Sequence, residues 1–209
     1  MTVRKKIGLG FSAVCLMVVV ILLISRSQFN IASQKSLEIN QQYLPRMSAT
    51  QEVLLHVGEQ RASLYAFLLN PEQQYVEDYQ HASDEINQSL EYIITNAMEQ
   101  KERELANQVK NLNVRNNQIV ETKIFPILIT DEGEIEAAQI ISDTEVIPLL
   151  QQMEPQIEEL SGIIQNQLNQ ITEVSVTNLQ KSRNMITILT LFGIVLGFLI
   201  AHFLARNIA

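Results

Sequence analysis

The chain is expected to be all-α: an up-down-up-down four-helix bundle whose first and last helices continue into two transmembrane helices. Three observations predict this. Ile7–Ser25 and Asn184–Ala205 are apolar and carry no charge, save a possible one on His202. The segment between them is poor in helix breakers, with 3 Gly and 5 Pro in residues 26–183. Its apolar residues recur at spacings of three and four, as a helix face requires, with no sustained two-residue alternation.

The two apolar segments come first. At about 1.5 Å per residue each is long enough to cross a hydrocarbon layer of roughly 30 Å. The first exceeds the apolar run of a signal peptide, and no clear small-x-small cleavage site follows it. It reads as an uncleaved anchor. The single cysteine, Cys15, lies inside it, so an intramolecular disulfide and a cysteine-based metal or haem site are excluded.

Charge follows the same partition. All 23 acidic residues fall between the two apolar segments, and residues 26–183 carry a net charge of -12. A domain this acidic repels nucleic acid and anionic lipid surfaces. The short ends carry Arg4, Lys5, Lys6 and Arg206, and the inner flanks carry equally many basic residues: Arg26, Lys35, Lys181 and Arg183. A long domain translocates largely regardless of charge, and the first span usually dominates. The N-terminal cluster therefore places both termini inside and the acidic domain outside.

Breakers divide the acidic domain. Asn70-Pro71 ends one helix and starts the next. Thr130-Asp131-Glu132-Gly133 is a turn cluster. A polar stretch, Asn96–Lys101, separates the middle pair. The expected helices are 26–69, 72–96, 99–129 and 134–183. The fourth has the best heptad pattern: Val146, Met153, Leu160, Gln167, Val174 in one row and Leu150, Ile157, Ile164, Ile171, Asn178 in the other. Pro148 and Pro155 should kink or loosen its first part. In the first helix the rows are Leu37, Leu44, Gln51, Gly58, Tyr65 and Asn40, Met47, Leu54, Arg61, Leu68. Pro45 should kink it too.

No Gly-rich phosphate loop, nucleophile elbow or Cys–His pair is present, so the chain is not expected to be an enzyme. No cofactor or metal is expected. His56 and His81 have carboxylates one turn away but lack the spacing of a di-metal bundle site. Arg61, the only basic residue between Arg46 and Lys101, sits on the first helix's expected seam. It would bind an anionic group in a cleft, or form a structural ion pair. Gln51 is a ligand contact or a register-setting polar residue. Gly193, Gly197 and Ala201, four apart, suit close helix packing in lipid, though glycine is common in spans generally.

Three passages carry a family resemblance: Gly58–Arg61 through Phe67–Asn70, Asp131–Ala138, and Val146–Leu150 through Leu160. With the layout of span, bundle and span, they resemble the sensor domain of methyl-accepting chemotaxis proteins. The resemblance implies a homodimer in the bacterial inner membrane, crossing it twice. It implies a ligand, either a small molecule or a periplasmic binding protein, held near the membrane-far end. Arg61 occupies the ligand zone of amino-acid-binding members, and Thr144 loosely matches their polar contacts on the fourth helix. Arg206 onward looks like the start of a HAMP linker. A slide of the order of 1–2 Å would carry the signal through the second span. The same module serving a histidine kinase or cyclic-dinucleotide enzyme, or a membrane-anchored scaffold without a small ligand, stays open.

Overall fold

The computed structural model describes residues 3–126 and 135–208, and the turn cluster at Asp131–Gly133 lies outside them. The elements in order are α1 (Val3–Glu38), a π-helical turn at Ile39–Tyr43, α2 (Leu44–Leu69), α3 (Gln73–Asn96) and α4 (Gln100–Ile119). A second π turn (Val120–Ile124), α5 (Ile135–Ile141), a third π turn (Ser142–Val146) and α6 (Ile147–Ile208) follow. No strand occurs among the described residues.

The chain forms two compact units. One is residues 40–168 and the other comprises 1–39 with 169–209. The first unit is the bundle. In it α2 packs on α3 and α3 on α4, while α5 with its π turn packs against α4 and the π turn that follows it.

Heptads build its core. On the first π turn and α2 the buried rows are Tyr43, Thr50, Val57, Leu64 and Arg46, Val53, Gln60, Phe67. On α3 they are Val76, Ser83, Leu90 and Tyr79, Ile86, Ile93. The fourth helix buries Val146, Met153, Leu160 and Leu150, Ile157, Ile164, as its heptads predict. Beyond these the first row leaves the interior, and Val174 is exposed. Phe125 closes one layer, its ring edge-to-face with Phe67 at 4.8 Å and Tyr79 at 5.4 Å.

The first helix corrects the expectation by one residue. Its buried rows lie one position before those predicted from apolar spacing. Leu44, Gln51, Gly58, Leu54 and Tyr65 face outward. The reason is chemical: the true seam carries Arg46, Thr50 and Gln60, which an apolar search passes over. Each is satisfied inside the bundle, so the core accepts them.

The prolines are absorbed locally. Each π turn lies just before a proline: Pro45, Pro126 and Pro148. A proline ring collides with the carbonyl four residues back. Those carbonyls belong to Gln41, Thr122 and Thr144, each within a π turn. The wider turn moves the carbonyl aside, and at Pro45 and Pro148 the helix continues. Pro155 lies inside α6 with no such turn. Asn70, before Pro71, is extended at φ -147° and ψ 97° and ends α2, as expected.

The second unit holds the two apolar segments. Two helices of the chain are long and apolar enough to cross a membrane. A Cβ built on Gly10 would lie 2.6 Å from Ile200 Cγ2, so α1 and α6 approach closely there.

Candidate functional site

Arg61 projects from α2 and forms an ion pair with Glu154 of α6. Both side chains are about one-third to two-fifths exposed, and the pair is accessible to solvent. Arg61 Nε is buried and has no hydrogen-bond partner. Here the structural ion pair foreseen as the alternative is formed. An anion binding Arg61 would compete with Glu154 for the guanidinium.

Gln51 and Thr144 are exposed. Thr144 Oγ1 donates to the Ile140 carbonyl at 2.6 Å, one turn back on its own helix. Gln51 stands ten residues from Arg61 on α2, about 15 Å along the axis. The structure therefore does not gather Arg61, Gln51 and Thr144 around one point.

Two clefts lie elsewhere, on either side of α3. The first, about 390 Å³, runs between α2 and α3 beside Pro45, with Glu52, Glu85, Gln88 and Tyr92 on its walls. Ser48 and Ser89 donate to the two oxygens of Glu52 at 3.2 and 3.1 Å. The second, about 590 Å³, runs between α3 and α4 and is lined by Asp84, Asn87, Asn117 and Glu121 among others. Neither has a basic side chain on its walls. Helix α3 itself carries five acids and no Lys or Arg. Both clefts favour solutes that donate hydrogen bonds or carry positive charge.

Behind the second cleft lies a buried amide layer that sequence reasoning missed. Gln60 Nε2 donates to Asn113 Oδ1 at 3.2 Å and to Asn117 Oδ1 at 2.7 Å. Asn116 Nδ2 donates to Gln60 Oε1 at 3.1 Å and to the Tyr79 hydroxyl at 3.0 Å. Tyr79 in turn donates to Asn117 Oδ1 at 3.2 Å, and Asn117 Nδ2 donates to Ser83 Oγ. Burial, helped by the charge of Glu121, raises the Tyr79 pKa well above its ordinary value of 10.0. The hydroxyl therefore remains a donor at any physiological pH. The available signal was amide content: residues 26–183 contain 34 Asn and Gln, five of them within residues 111–118.

A second buried polar group joins Arg46 of α2 to Glu102 of α4. Both side chains are fully buried. The Glu102 carboxylate also accepts from the Met98 backbone N–H at 3.1 Å and so ties the α3–α4 connection to the first turn of α4. Arg46 Nε donates to the Gln42 carbonyl at 2.9 Å, inside the first π turn.

No group of three or more His, Cys, Asp or Glu side chains arranged for a metal occurs among the described residues. His56 Nδ1 lies 2.7 Å from Glu59 Oε2 as an isolated surface pair. In the membrane-type unit, a Cβ at Gly193 would meet Met17 Sδ at 3.4 Å, ordinary contact. At Gly197 it would meet nothing within 4 Å, and Ala201 is exposed. The tight approach is at Gly10, which sequence reasoning did not single out.

The arrangement presents clefts, acidic walls and a polar interior, and no nucleophile–base pair stands out among these groups. Comparison with protein families decides its class. The model of the four helix bundle sensory module for signal transduction matches residues 1–179. The chain belongs to this family. It is thus a sensory module, and the bundle of residues 40–168 lies wholly within the matched region. No match was found among curated proteins or among solved structures.

Proposed function

We propose that this sensory module is the sensing and membrane-crossing part of a chemoreceptor. It lies in the bacterial inner membrane with its bundle outside the cytoplasm. The bundle binds a small solute, or a binding protein carrying one, and a helix displacement passes through the second span. The observation that carries this reading is α6. It is one helix of 62 residues, from Ile147 to Ile208. Its early heptads are core positions of the bundle, and its later part is the charge-free apolar segment. A rigid element that both sites bias is what coupling needs.

The outward row on α2 supports a homodimer. Leu54, Leu55 and Tyr65 are 48%, 58% and 44% exposed. With Leu44 they form a second apolar face at heptad spacing, which a single copy leaves in water.

Titration calorimetry of the 209-residue chain in detergent, against panels of amino acids, carboxylates and amines, tests the sensing claim. A solute that binds should also change the rate of disulfide cross-linking between cysteines placed on α1 and α6, in a Cys15→Ser background. Binding without such a change would remove the proposed transmission. Silence against every solute would turn the search to a binding protein.

A further inference from the structure

The acidic balance of the chain hides a steep partition. All acidic residues lie between Glu38 and Glu173. Residues 26–37 and 174–183, which adjoin the apolar segments, carry Arg26, Lys35, Lys181 and Arg183 and no acid at all. Lys35 is taken by Glu38 at 2.7 Å. Arg26, Lys181 and Arg183 are exposed and have no acidic partner among the described residues. As many cations stand here as on the short ends, so they do not serve to orient the spans. Another cause is needed.

The second unit supplies one. Helices α1 and α6 enclose a cleft of about 340 Å³, walled by Gln28 and Ile31 on α1 and by Asn178, Lys181, Ser182 and Met185 on α6. Gln28 is three residues past the first charge-free segment, and Met185 is the second residue of the other. The cleft therefore spans the border between apolar and polar sequence on both helices, where lipid phosphates lie. Ser182 Oγ is committed to the Asn178 carbonyl at 2.9 Å. This leaves the Lys181 ammonium and the side-chain amides of Gln28 and Asn178 as donors. Met185, inside the second apolar segment, offers apolar surface on the membrane side, while Ile31 lies beyond Gln28 on the bundle side.

We propose that this cleft binds the phosphate of an anionic phospholipid from the bilayer that the two helices cross. Lys181 pairs with the phosphate, the amides of Gln28 and Asn178 donate to its oxygens, and Met185 packs on the glycerol and first acyl carbons. Arg26 and Arg183 raise the local concentration of anionic headgroups. Basic pockets between membrane helices hold anionic headgroups on the cytoplasmic side, and the same charge pairing would act in this cleft on the bundle side.

Native mass spectrometry of the 209-residue chain in detergent, titrated with phosphatidylglycerol or phosphatidylcholine, tests this. The anionic lipid should bind at least about five-fold more tightly, the effect of one basic residue at such a surface. Lys181→Ala should abolish the difference with helicity unchanged by circular dichroism. Lys35→Ala, whose charge is already neutralised, should preserve it. A large excess of inorganic phosphate should not displace the lipid. Equal retention of the two lipids, or selectivity that survives Lys181→Ala, would overturn the proposal. Displacement by inorganic phosphate would overturn it too, by assigning the cleft to a soluble anion.

Discussion

Arg46 and Glu102 form a fully buried ion pair that ties α2 to the start of α4, with Nη1 at 2.6 and 2.8 Å from the two carboxylate oxygens. The guanidinium also donates to Gln167 Oε1 at 3.2 Å and lies 5.1 Å from the centre of the Tyr43 ring. Taking both charges out of water is costly, and only this density of partners offsets it.

Breaking the pair from one side should therefore be severe. Arg46→Met leaves Glu102 buried and unpaired, and should cost about 3–5 kcal/mol. The double variant Arg46→Met, Glu102→Leu should regain most of that loss. Chemical denaturation of the parent chain and the two variants measures both. If the double variant is as unstable as the single one, the cost lies in packing and not in the orphaned charge.

The Tyr79 hydroxyl predicts an alkaline weakness. Its pKa is raised on folding, so the protonated form is the one the bundle stabilises. That contribution is whole below pH 10 and is lost as pH climbs above it. Thermal melts carried above pH 10 should show a fall that Tyr79→Phe flattens. At neutral pH the same variant should cost about 1–3 kcal/mol, because Asn116 and Asn117 each lose a buried partner.

The outward row of α2 should control association. Leu54→Glu places a charge on an already exposed position and should leave the unfolding free energy of the single chain within about 0.5 kcal/mol. It should nevertheless shift sedimentation from dimer to monomer. A dimer that persists unchanged would remove this face from the interface.

In the apolar segments the glycines should behave differently. Gly10→Leu forces a side chain into Ile200 and should separate α1 from α6. Gly197→Leu meets open space and should be tolerated. Cross-linking yield between paired cysteines on the two helices distinguishes them. Equal yields would mean that Gly10 is not a packing position.

Much of the architecture was legible, for identifiable reasons. Charge-free runs, Asn70-Pro71 and the Val146–Ile164 heptads are strong because one physical effect dominates each. The seam of α2 was misplaced by one residue because apolarity is a poor guide where a core is polar. Arg46 and Gln60 look like surface residues until Glu102 and Asn113 are known to face them. Those partners lie 56 and 53 positions away in the chain. No local pattern reports such a pairing. Arg61, conspicuous in sequence, found a nearby glutamate and half-exposure instead of a sealed pocket.

The amide layer has a consequence for measurement. Leucine layers are interchangeable, so a bundle built only of them tolerates slippage of one helix past another. Gln60, Asn113, Asn116 and Asn117 are not interchangeable with their neighbours. One heptad of slip would set Gln60 against Val109 or Val120 and strand several amides without partners. The layer thus fixes the zero of the scale. The helix displacement proposed above, of the order of 1–2 Å, would need such a datum, since a ruler that drifts cannot register a small step.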